Sequence, residues 1–269
     1  MAEDISRNTL AHAHPKEVRG LIRQGKWRQP TAGLCQGRVQ ANLVILPRDL
    51  ADDFLVFTQR NPKPCPLLEV TEPGSIEPVH TAPGADLRQD LPKYRIYRHG
   101  QLEAEVTDLM GIWQDHLVSF LLGCSFTFEA AMLQAGVPVR HLEEGKNVPM
   151  YITNRPCQPA GIFQGPLVVS MRPVLPVLIP QAIQVTAQFP SAHGGPVQVG
   201  DPASLGIQDL SRPDFGDPVT IRAGEVPVFW ACGVTPQAVA MQAKPPLMIT
   251  HAPGHMFITD LKDEDLAVY

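Results

Sequence analysis

Residues 123–133 read GCSFTFEAAML, and residues 231–241 read ACGVTPQAVAM, sharing Cys, Thr and Ala. PMYITNRP (149–156) follows the first segment and PLMITHAP (246–253) the second, sharing Pro, Ile, Thr and Pro. QDL at 89–91 matches QDL at 208–210, so three matches recur in one order, the mark of an internal repeat. Each copy predicts a strand, a Cys-bearing turn, a short helix, a strand and a polar turn. The reading is a single catalytic unit over 1–269, with pseudo-repeat halves at 75–165 and 166–269 and residues 1–74 packing on the main sheet. A cleft between pseudo-equivalent turns is the natural place for a site.

Outward from these segments, the chain alternates strands with short helices. HPKEVRGLIRQG (14–25) has apolar residues at helical spacing. QANLVILP (40–47) reads as a buried strand, RDLADDFLVFTQRNP (48–62) as a helix stopped by proline, and LLEVTE (67–72) as a strand. RIYRHGQLEAEV (95–106) reads as a hairpin turning at His99-Gly100. Residues 107–135 read as the longest helical region, interrupted at 123–125. The stretches 148–154, 165–173, 182–190 and 226–233 read as strands. PQAVAMQA (236–243) reads as a helix with Pro236 in its first turn, and 246–261 as strand, turn, strand. The class expected is α/β with a largely buried sheet.

Composition narrows the function. The chain holds 28 Pro and 21 Gly in 269 residues, which excludes helical bundles and coiled coils because proline breaks helix interiors. A net charge of −5 leaves no basic stripe for nucleic acid. No uncharged apolar run reaches the roughly 18 residues of a membrane helix, and residues 1–16 lack the apolar core of a signal segment. Five scattered cysteines without a CxxC pair suit a reduced, cytoplasmic chain. The expected partner is a small molecule; oligomeric state stays open, a homo-oligomer included. Pro149, Pro156, Pro173, Pro236, Pro246 and Pro253 flank the polar turns and are expected to stiffen one cleft.

Four stretches hold candidate chemistry. Cys124 and Ser125 precede a helical pattern, where the helix dipole and unpaired N–H groups favour a thiolate. Glu129 lies five residues on, placed to serve as general acid or base. The alternative is a small buried thiol and a surface charge. Tyr151, Asn154 and Arg155 end a strand; Asn and Arg orient carboxylates. Ser170 and Arg172 share one strand face, with Met171 on the other. His251 and His255 lie four apart, but Pro253 and Gly254 between them forbid a helix, so a general base at His255 is the better reading. A metal on His251, His255 and Asp260 is the weaker option, and no cofactor is expected. No nucleotide, GxSxG or HExxH pattern occurs.

QANLVILP (40–47), DFLVFTQRNPKPCPLLEV (53–70), GCSFTFEAAML, NVPMYITNRPC (147–157), GPLVVSMRP (165–173), VPVFWACGVTPQ (226–237) and HAPGHMFITD (251–260) together resemble the D-glutamate cyclase family. The resemblance runs from about His14 to Asp260. It implies a mixed-sheet αβα sandwich with a smaller two-layer α/β part. It also implies a carbon–oxygen hydro-lyase that takes D-glutamate to 5-oxo-D-proline and water. On that chemistry Arg172, with Asn154, is expected to clamp a carboxylate. Glu129 or His255 would move the amine proton, and donors at Cys124–Ser125 would hold the oxyanion. Cys124 as an acylated nucleophile is the sharper variant. Ser125, Tyr151, Ser170 and His251 complete the expected substrate contacts. The alternatives are a hydro-lyase acting on another small acid, or a non-catalytic binding protein for one.

Overall fold

The computed structural model describes residues 5–268. Its longest strand, β1 (Arg38–Pro47), is buried at every residue between its two ends. It pairs with three strands: β5 (Leu117–Gly123) along its length, β10 (Met248–His251) near its end and β11 (Phe257–Lys262) near its start. The larger sheet has the order β2-β5-β1-β10-β3-β4, with β2 at Leu67–Val70, β3 at Tyr94–Arg98 and β4 at Gln101–Val106. The smaller sheet has the order β6-β7-β9-β8, at Met150–Pro156, Pro166–Val174, Val226–Ala231 and Gln198–Val199.

The α/β sandwich class stands. In place of a mixed sheet, both sheets are antiparallel in every pairing. The reason lies in where the helices cross. Helix α4 (Phe126–Gln134) carries the chain from β5 in the larger sheet to β6 in the smaller, by way of the short α5 (Arg140–Glu143). Helix α7 (Thr235–Ala243) returns it from β9 to β10. Parallel neighbours need a crossover between adjacent strands; α4 and α7 change sheets, while α3 (Arg48–Arg60), joining β1 to β2, and α6 (Ile179–Ala187), joining β7 to β8, each leave an antiparallel strand between the pair. Helix α2 spans Pro15–Arg23, and α1 is a single turn at Arg7–Leu10.

Two apolar layers cover the larger sheet. Val44, Leu46, Phe120 and Met248 pack against Phe54 and Phe57 of α3 and Val239 and Ala240 of α7. Leu43, Ile45, Leu121 and Ile249 pack on the other side against Leu87, Leu91 and Leu109. Residues 1–74 were expected to pack on this sheet; they supply two of its strands, β1 and β2.

Two sequence expectations fail locally. Residues 117–123 lie in the stretch read as helix but form β5, whose seven residues are all buried. A strand covered on both faces shows no alternation, so periodicity cannot separate it from a helix. Residues 182–190 have strand-like Ile, Val and Thr, yet 179–187 form α6 with Pro180 in the first turn. Ile179, Ala182, Val185 and Thr186 lie at helical spacing, the first three packing beside Phe128 and Trp230 and Thr186 fully buried. Tertiary packing outweighs β propensity here. The His99-Gly100 hairpin forms as read, with φ of 46° and 80°, the left-handed pair of a two-residue turn.

The six prolines do not frame one cleft. Pro156 and Pro253 line separate grooves, and Pro173 lies inside β7 opposite Pro227.

Candidate active site

β5 ends at Gly123, against the backbone of Ser191. A Cβ on Gly123 would lie 1.7 Å from the Ser191 carbonyl oxygen, so only glycine fits. Its own carbonyl accepts a 2.6 Å hydrogen bond from Asn42 Nδ2 on β1. Gly233, at the end of β9, is closed in the same way: its Cβ would meet Asn42 Nδ2 at 2.0 Å. Asn42 therefore bonds one Cys-bearing turn and packs closely against the other.

Helix α4 starts just beyond Gly123 and brings Glu129 into the interior. Glu129 is 4 % exposed and Arg172, opposite it on β7, is 0 % exposed. The Arg172 Nε donates to Glu129 Oε1 at 3.2 Å, and its Nη2 pairs with the same oxygen. Nη2 also donates to Ser125 Oγ at 3.0 Å, and Nη1 to Ser170 Oγ at 3.1 Å. The rings of Phe128 and Trp230 each lie 5.3 Å from the guanidinium carbon, with their centroids 5.9 Å apart, within reach of cation–π attraction. His141 Nε2, on α5, is 3.2 Å from Glu129 Oε1.

Burial alone would push Glu129 up. The charges of His141 and Arg172, and their hydrogen bonds, outweigh it and hold the carboxyl down to about 2. Glu129 is thus a fixed carboxylate. Burial pushes the thiols the other way. Cys124 is raised far above its ordinary value despite a backbone N–H from Phe126, and Cys232 is raised to about 11 despite one from Val234. Each thiol meets the N–H two residues on, at the start of a nine-residue helix.

Glu129 also lines a cavity of about 230 Å³, with Arg38, Gln40, Phe126, Leu142 and Asp263 among its walls. The side-chain oxygen of Gln40 and one carboxylate oxygen of Asp263 are buried without a partner. Burial raises Asp263 to about 7, against the opposing charge of Arg38.

The structure thus brings together Cys124, Ser125, Glu129, Ser170 and Arg172. It places the other sequence candidates elsewhere. Tyr151 lies on the far face of the smaller sheet, packed with Phe229, and donates to the Leu210 carbonyl at 2.7 Å. Asn154 is exposed on a groove shared with Arg155 and Pro156. The backbone N–H of Leu43 donates to His251 Nδ1 at 3.2 Å, and burial lowers that imidazole to about 4. His255, lowered chiefly by burial, lines a different cleft with Lys93, Arg95 and Glu105. Asp260 pairs with Arg19 at 3.0 Å, and among the described residues no three His, Cys, Asp or Glu side chains are grouped to hold a metal. Among the described residues no helix is long and apolar enough to cross a membrane.

Sequence reasoning missed Arg38, Gln40, Asn42, His141 and Asp263. Gln40 and Asn42 carried a signal: both are amides inside the apolar strand QANLVILP, where a buried polar group needs partners. Asp263 carried none.

The buried Arg–carboxylate cluster beside a small cavity is the candidate site of this α/β sandwich. The family model described as D-glutamate cyclase matches residues 118–260. A protein of Stutzerimonas stutzeri named "Putative hydro-lyase" is 66% identical over 94% of this chain and 96% of its own. One of Thermoanaerobacter sp. with the same description is 66% identical over 99% and 100%. A solved nitrogen repressor-like protein of Methanococcus jannaschii aligns over 91% of this chain and 97% of its own, at 10% identity and a TM-score of 0.36, too distant to carry an argument. The chain belongs to the D-glutamate cyclase family, and it is an enzyme of the hydro-lyase class.

Proposed function

We propose that the chain removes water from D-glutamate to form 5-oxo-D-proline, in the cavity bounded by Arg38, Gln40, Glu129 and Asp263. The observation that carries this reading is Glu129: a buried carboxylate, fixed by Arg172 and His141, with one side on a cavity sized for a small acid.

The substrate offers an ammonium group and two carboxylates. Glu129 suits the ammonium and Arg38 a carboxylate. Holding the amine against the γ-carbon in one pose supplies much of the rate. Two protons must leave the nitrogen, and both must end on the departing oxygen as water. The amine nitrogen bonds the γ-carbon, the carbon–oxygen bond breaks, and net charge is unchanged.

Arg172 acts here as a positioning residue, because its donors go to Glu129, Ser125 and Ser170. Cys124 packs as a neutral thiol at the turn. All five cysteines are buried and free, which suits a reducing, cytoplasmic setting. We read the two strand–turn–helix segments as a duplicated unit, of which the α4 copy holds the chemistry.

Glu129→Gln tests the reading. It keeps the shape and removes the charge, so D-glutamate turnover followed by proton NMR should fall by about a hundredfold or more. Turnover equal to the wild type in a folded variant would remove Glu129 from the reaction.

A further inference from the structure

Asp263 follows directly on β11 and opens the final turn of the described chain, its backbone N–H bonded to the Gly37 carbonyl at 3.0 Å. It stands where two cavities meet. The 230 Å³ cavity holds Glu129 and Gln40. A neighbouring one of about 760 Å³ shares Gly37, Arg38, Ala130, Gln134 and Asp263 with it and leads past Lys262 and Glu264. One Asp263 oxygen is buried without a partner, as is the side-chain oxygen of Gln40, which is 3 % exposed. Asp263 is only partly buried and lines the cavity together with Glu129, so a ligand there meets two carboxyl groups, which call for a donor of hydrogen bonds. An ammonium group, with three N–H donors, is the group on an amino acid that answers this.

We propose that Asp263 is the proton shuttle of the site, taking protons from the substrate amine as it attacks and returning them to the oxygen that departs. This rests on the assignment of D-glutamate cyclisation to this cavity. The step balances. The ammonium gives up a proton to the Asp263 carboxylate, the nitrogen–carbon bond forms, and Asp263 passes the proton to an oxygen of the γ-carboxyl group. The second surplus proton of the nitrogen follows by the same route, the carbon–oxygen bond breaks as that oxygen leaves as water, and the Asp263 carboxylate is restored.

The contrast with Glu129 selects Asp263 for the role. A shuttle must both accept and release a proton near neutrality. Glu129, held down to about 2, anchors charge and does not exchange protons there; Asp263, raised to about 7 by burial, does. Two carboxyl groups driven apart by their surroundings are a recognised basis for dividing such roles. The charged and titratable groups around Asp263 are Cys35 and Arg38 at the entry to β1, Glu129 on α4, Lys262 at the end of β11, and Glu264 beside it. Arg38 opposes the rise and burial dominates it.

Asp263→Asn separates catalysis from folding. Ionising Asp263 is opposed by the fold, so its charge costs stability at neutral pH. The variant should therefore melt at the same temperature as the wild type or higher, while kcat on D-glutamate falls by about a hundredfold or more. The wild-type kcat should decline below pH 7 as Asp263 protonates. In Asp263→Asn that limb should vanish, and Asp263→Glu should restore part of the rate. Should Asp263→Asn not fold, Asp263→Ser takes the same test. A wild type with no cyclisation activity overturns the parent assignment. An active wild type, with Asp263→Asn keeping more than half its kcat and the same pH profile, overturns the shuttle alone.

Discussion

Arg172→Met removes the guanidinium and keeps most of the side chain's bulk. In the wild type the guanidinium has no solvent exposure and binds Glu129, Ser125 and Ser170, with the Phe128 and Trp230 rings beside it. Without it, Glu129 keeps only His141, whose Nε2 is 3.2 Å away. Leaving one half of a buried pair unpaired costs about 3–5 kcal/mol. The cost depends on pH. The wild-type Glu129 is held from 4.5 down to about 2, which corresponds to about 3 kcal/mol of stability. That contribution is complete above pH 4.5 and is lost as pH falls towards 2. In the variant burial is opposed by His141 alone, so Glu129 rises and protonates at a higher pH. The buried charge then disappears, and with it much of the penalty. Urea unfolding followed by tryptophan fluorescence, at pH 7.5 and pH 5, reads both effects. The variant should be weaker by about 3–5 kcal/mol at pH 7.5, with a smaller gap at pH 5. A gap below about 1 kcal/mol, or one equal at both pH values, would refute the buried-pair reasoning.

Two other outcomes follow from the same geometry. Cys124→Ser should keep cyclisation within about tenfold of the wild type, because a thiol raised this far by burial is not a standing nucleophile. In the native protein the thiol should resist iodoacetamide, and an acylated Cys124 found by mass spectrometry during turnover would count against this. His193 and His251 are both lowered by burial from 6.5 to about 4. Their contribution is complete above pH 6.5 and is lost as pH falls through 4, about 3 kcal/mol each at most. Imidazole proton NMR should show two histidines still neutral at pH 5; nine titrating near 6.5 would contradict their burial.

Much of the frame was legible because local chemistry and tertiary structure agree in it. QANLVILP is a central strand, His99-Gly100 is a hairpin turn, and the two Cys-bearing segments each run from strand to helix. The failures are places where tertiary contacts decide. β5 is apolar throughout because both its faces are covered, and α6 carries β-branched residues on a helix that packs on Trp230. The site was legible in part. Glu129 and Arg172 stand out as charges inside apolar segments, yet they lie 43 positions apart, and nothing in the sequence says that they bind each other. The same pairing recasts Arg172, which satisfies the protein's own groups where a substrate clamp was expected. Gln40 and Asp263 come together only when β1, α4 and the end of β11 assemble, so the cavity they share has no linear signature.

The central claim is the reaction itself. Purified protein incubated separately with D- and L-glutamate, with the products resolved by chiral chromatography, tests it most directly. The account predicts 5-oxo-D-proline from D-glutamate, formed faster than the protein-free rate and lost in Glu129→Gln. Folded protein that forms no 5-oxoproline from D-glutamate above the protein-free rate would contradict it.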